Sequence, residues 1–130
     1  MGFFSGLFKQ APPTEASFTP VQGEQLFVGE SHYQPALVEL LKSRGHASKS
    51  MAECRVPINE PFTARLVPEP RNPHDADAVA VVVETHTVAY LSRANAKEYR
   101  KSFGTREGQV AVSLWVKPRG KGIVSVWPQE

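Results

Sequence analysis

The chain has 130 residues, 41% of them hydrophobic, with 15 Lys or Arg against 13 Asp or Glu and a single cysteine. That length allows one compact core and no second independent domain. No apolar run approaches the roughly 18 residues of a membrane-spanning helix, and residues 1–8 lack the basic start and small-residue cleavage site of a secretory signal, so a soluble, cytoplasmic protein is expected.

Residues 1–23 read as a flexible N-terminal segment. Phe3, Phe4, Leu7 and Phe8 fall near helical spacing, and residues 11–23 then have the Pro/Thr/Ser/Gly composition of a linker. The folded domain is expected over residues 24–130. It opens with a short strand at 25–29 and a helix at 34–42, where Ala36, Leu37, Leu40 and Leu41 recur at helical spacing behind Pro35. Residues 43–61 are polar and read as an exposed irregular loop. A strand follows at 62–67, then a loop stiffened by Pro68, Pro70 and Pro73. The β-branched run 78–84 and residues 87–91 predict a hairpin. Ser92 is a good N-cap for a helix over 94–103 that ends at Gly104. Residues 110–116 and 123–127 predict a second hairpin around a basic turn. Six short strands and two helices fit a mainly β fold, a small antiparallel OB-like or SH3-like barrel with short helices over its open ends.

Charge is unevenly spread. Residues 93–121 carry eight Lys or Arg and two Glu, whereas residues 1–92 hold seven Lys or Arg against ten Asp or Glu. One phosphate-facing edge would show this asymmetry, and so would a solvated basic helix and hairpin. Cys54 has no disulfide partner, no companion for a cysteine zinc site and no neighbour that would activate it as a nucleophile.

Three segments depart from generic barrel sequence. In the first, Gly29 ends a strand and lets backbone approach a ligand, while His32 and Tyr33 offer flat faces for a base; an ordinary helix-starting loop is the other reading. In the second, the proline-stiffened loop holds Asn72 and Asp75 ready for a hydrogen-bonding partner, or in an Asx-type turn that satisfies only local backbone. Adjacent His74 and Asp75 face different ways along an extended chain, and no distant ligand set accompanies them and Asp77, so neither a metal nor a catalytic centre is expected there. In the third, Tyr90 ends a strand and Arg93 lies in the first turn of a basic helix that continues to Arg100, a natural place for phosphate, although the tyrosine also suits a core or rim position. Trp115 and Trp127 occupy strand positions and read as core rather than as stacking platforms.

The ordered segments FVGESHYQPAL, ARLVPEPRNPHDADAVAV and TVAYLSRANAKEYR resemble the HIRAN domain, found at the front of fork-remodelling ATPases and as small stand-alone bacterial proteins. The likeness spans residues 25–127. It implies an OB-like barrel without catalysis or cofactor that binds single-stranded DNA at free 3′-hydroxyl ends, in repair or replication alongside other proteins of that machinery. Carried over by position, Val28 and Gly29 would floor the pocket, and His32 and Tyr33 would hold the terminal nucleotide. Asn72 and Asp75 would meet the sugar end, Tyr90 and Arg93 the next phosphates, with Trp127 as the closing aromatic. Ser31 and His32 stand where the family's DNA-binding members carry arginine and tyrosine. A barrel kept as a protein-interaction module after loss of end binding is the alternative.

Overall fold

The computed structural model describes Thr14–Glu15, residues 18–119 and residues 122–129. Among them are strands β1 (Thr14–Glu15), β2 (Phe27–Val28), β3 (Ile58–Pro68), β4 (Val79–Val83), β5 (His86–Leu91), β6 (Gly108–Val116) and β7 (Val124–Pro128). Three α-helices accompany them, α1 (Gln34–Ser43), α2 (Ser48–Ala52) and α3 (Arg93–Phe103), and a 3₁₀ turn covers Glu30–Tyr33. The order across the sheet is β7-β6-β3-β4-β5-β2, every neighbour antiparallel, with β1 parallel to the start of β6 on the edge it shares with β7. The expected six-stranded antiparallel barrel is therefore present and nearly closed.

Alternation builds the wall. Phe62, Ala64 and Leu66 of β3 turn inward, as do Val112, Leu114 and Val116 of β6, with Phe62 directly opposite Val112 in the ladder. The valine run of β4 is buried along nearly its whole length, as befits a central strand. Val88 is an extra residue in β5 between the pairs Val81–Ala89 and Val82–Thr87, and this bulge lets Val88 and Ala89 both be buried. Pro61 pairs only with Ser113, because β4 does not reach that half of β3; a residue without an N–H is tolerated where one side has no partner strand.

Side chains complete the closure between β2 and β7. The Gln34 amide donates to Val124 O and accepts from Val124 N, both at 2.8 Å, as a neighbouring strand would. Glu30 Oε2 accepts from Val126 N at 3.4 Å. These contacts pin both ends of the 3₁₀ turn to the barrel. Leu37, Leu40 and Leu41 of α1 and Ala96, Tyr99 and Phe103 of α3 then cover apolar surface at helical spacing.

Three expectations need correction. Among the described residues there are three α-helices rather than two: α2 lies inside the segment read as irregular, held by the buried Met51, its only large apolar residue. Strand β3 starts at Ile58, four residues early, since Asn59, Glu60 and Pro61 hide the alternation that pairing with β6 reveals. Trp115 and Trp127 are absent from the core, Trp127 being 51% exposed. Residues 1–8, with their Phe cluster, lie outside the described residues. Of the stretch read as a linker, Thr14–Glu15 pair with Gly108–Gln109, Phe18 packs edge-on against Tyr99 at 5.6 Å, and Val21 N donates to Asn95 Oδ1 at 2.8 Å.

Tyr99 makes stability sensitive to alkali. Its ring is fully buried and its hydroxyl donates to Arg106 O at 2.7 Å. Burial, only partly offset by the Arg106 charge, pushes its pKa up to about 12. An unfolded tyrosine loses its proton near 10, so between pH 10 and 12 the unfolded chain binds fewer protons than the native one. Stability should accordingly fall as pH rises through that window. In urea titrations, Tyr99→Phe should lose stability less steeply with pH than wild type; parallel slopes would assign the fall to other groups.

Candidate nucleic-acid interface

Gly29 ends β2 at φ 86°, a left-handed conformation that directs the chain straight into the 3₁₀ turn and on to Tyr33. Val28 lies opposite Tyr90 in the ladder, and the rings of Tyr33 and Tyr90 approach to 6.3 Å at 40°. Facing them is the loop between β3 and β4. Asn72 Oδ1 accepts from His74 N and Asp75 N at 2.8 and 3.2 Å, and Asp75 Oδ1 accepts from Asp77 N at 2.9 Å. Both side chains thus build consecutive Asx turns.

The remaining donors converge on Glu69, a residue that no sequence pattern singles out. Its Oε1 accepts from Tyr90 Oη and from Asn72 Nδ2, both at 2.9 Å. Burial first, then the hydrogen bond and charge of Glu69, hold the Tyr90 hydroxyl well above its usual pKa. It therefore stays a donor to Glu69 across the physiological range. The carboxylate is flanked by two prolines, so only the folded loop reveals that it turns toward Tyr90.

On the far side, Arg93 opens α3 directly after Ser92, whose Oγ accepts from Asn95 N at 3.3 Å. The Arg93 side chain is 74% exposed, with Nε 3.5 Å from Asp75 Oδ2. Lys97 and Lys101 follow at four-residue steps on the same helix face. Arg100 Nη1 donates to Ala76 O at 2.7 Å and ties the proline loop to α3.

Tyr33, Asn72, Asp75, Tyr90 and Arg93, with His74, line one shallow cavity of about 350 Å³. Val28, which pairs with Tyr90, and Gly29 after it are expected to floor the pocket but are not among the residues that line it. His32 is exposed on the 3₁₀ turn and Arg100 faces a neighbouring depression with Lys97 and Lys101. Neither residue lines the cavity, nor does Trp127, which sits on a different surface. Among the described residues no group of three or more His, Cys, Asp or Glu is arranged to hold a metal, and no helix is long and apolar enough to cross a membrane. The cavity combines two aromatic rings, a carboxylate held by its own turn and an exposed guanidinium. That set can stack a base, accept a hydroxyl proton and pair a phosphate. No protein family, curated protein or solved structure matches the chain.

Proposed function

We propose that this protein is a non-catalytic module that binds single-stranded DNA and takes a free 3′-hydroxyl end in the cavity between Tyr33 and Tyr90. The observation that carries the reading is the meeting of Tyr33, Tyr90, Asp75 and Arg93 around one cavity, beside the basic face of α3. The resemblance of three segments to the HIRAN domain supports it, since those segments supply the cavity's lining. In this reading Tyr33 and Tyr90 stack or edge the terminal nucleotide. Asp75 accepts from the sugar hydroxyl, and Arg93 with Lys97 pairs the following phosphates. DNA repair and replication are the settings in which free single-stranded ends arise.

Fluorescence anisotropy with labelled single strands tests this, titrated at several salt concentrations. Each phosphate contact on a single strand contributes roughly 0.7 to the slope of log affinity against log salt. Arg93→Ala with Lys97→Ala should therefore flatten the slope by about 1.4 and weaken all single strands alike. An unchanged slope would remove α3 from the phosphate path.

A further inference from the structure

A second concavity lies away from the cavity just described, on the outer face of the β3-β6-β7 sheet. It measures about 590 Å³ and is lined by Trp115, Trp127, Lys117, Asn59, Ser113 and Ser125, with Pro128 and Gln129 at one end. Register sets the two indoles diagonally: Trp115 pairs with Ser125, and Trp127 pairs with Ser113. Diagonal neighbours on an antiparallel pair stand roughly 7–8 Å apart, so the two rings flank a slot floored by small serines. Trp127 is 51% exposed on a strand whose other face is core. Lys117 adds positive charge, Arg119 follows it in the turn, and among the described residues the lining carries no carboxylate.

We infer that this groove is a second nucleic-acid site, which holds the interior of a single strand by stacking bases on Trp115 and Trp127 with Lys117 on a phosphate. Every base presents a π-face, so stacking of this kind is tolerant of sequence and needs no strand end. Among the described residues its one charged lining residue is cationic, which disfavours a basic peptide, and the paired indoles suit the planar bases of a nucleic-acid strand better than the side chains of an acidic or neutral one. The end-binding cavity and this groove would then serve different parts of one substrate. A protein with only the first would ignore DNA without ends.

Both tryptophans of the chain line the groove, so intrinsic tryptophan fluorescence reports its occupancy directly. A closed circular oligonucleotide offers no 3′ end and isolates this site. It should quench the fluorescence, with a midpoint that moves to higher concentration as salt is added. Trp127→Ala should weaken binding of the circle by about tenfold. Lys117→Glu should weaken it as well while leaving the melting temperature and the preference for hydroxyl ends in place. Tyr33→Ala should leave quenching by the circle intact. If the circle changes neither fluorescence nor anisotropy at concentrations that saturate a linear strand, or if only a proline-rich peptide quenches, the inference is overturned. Quenching by the circle without any end preference in linear strands would sustain the groove and remove the end-capture reading instead.

Discussion

Replacing Asn95 with alanine should cost the fold about 3 kcal/mol, the largest loss expected from a single polar side chain here. Asn95 is fully buried at the start of α3. Its Oδ1 accepts from Val21 N at 2.8 Å, and its Nδ2 donates to Gln25 O at 3.1 Å and to Ser92 Oγ at 2.8 Å. Alanine would strand a backbone donor and a backbone acceptor and take from Ser92 Oγ the shorter of its two hydrogen bonds, leaving only that from the residue-95 N–H. Each such group left without a partner costs about 1–3 kcal/mol, reduced where water can reach it, as at Val21 and Gln25. A loss of this size corresponds to a fall in melting temperature of roughly 10–15 °C. Ser92→Ala, which removes the cap and one of the two acceptors of Asn95 Nδ2, should cost about 1 kcal/mol. The two side chains bond each other, so the double mutant should lose less than the sum of the singles. A thermal scan showing Asn95→Ala within two or three degrees of wild type (about half a kcal/mol) would mean the freed groups re-pair with water at no cost. The consequence reaches the candidate site, because residues 21–25 lead directly into β2, Gly29 and Tyr33.

Much of this arrangement could be read from residues whose local and tertiary preferences agree. The valine run of β4, the Ser92 cap and the Gly104 stop each state one structure, and each forms as expected. Tyr33, Asn72, Asp75, Tyr90 and Arg93, drawn from three separate segments, come around one cavity, whereas His32, Arg100 and Trp127 do not line it. What escaped the sequence depended on partners remote in the chain. Strand β3 begins at Ile58 only because β6 lies beside it, and its Asn-Glu-Pro start has no alternation of its own. Glu69 becomes the shared acceptor of Tyr90 and Asn72 only when β4 and β5 bring Tyr90 under the proline loop. Trp115 and Trp127 carry the composition of core residues, and only pairing register sends them outward. Gln34 reads as an ordinary helix-start residue until Val124, ninety positions away, needs both a donor and an acceptor. Arg100 belongs to the same class, since its role as a tie to Ala76 depends on where the proline loop comes to rest.

Asp75→Asn should abolish discrimination between hydroxyl and phosphate ends while leaving the fold nearly untouched. In the free protein Asp75 Oδ1 is already committed to Asp77 N, and the amide oxygen of asparagine can take over that bond. The other oxygen, Oδ2, has only the distant Nε of the exposed Arg93 and is available to a ligand in the cavity. Loss of an ion pair to so exposed a guanidinium should change stability by less than about 1 kcal/mol. A free 3′-hydroxyl can donate to Oδ2, and a hydrogen bond to a charged acceptor is worth about 1.5–3 kcal/mol, roughly ten- to a hundredfold in affinity. A 3′-phosphate has no proton to donate in its dianionic form and brings a charge near −2 against the carboxylate, which Arg93 offsets only in part. Wild type should thus prefer hydroxyl ends by at least about tenfold. The asparagine variant should bind hydroxyl ends less tightly and phosphate ends more tightly, so that the two affinities converge. Were Asp75 only the cap of its own turn, asparagine would leave any end preference as it was. Melting temperature and affinity for both ends, measured on both proteins, separate the two roles. Equal affinity of the wild type for hydroxyl and phosphate ends would sink end capture itself and leave the cavity as a general contact for a passing strand.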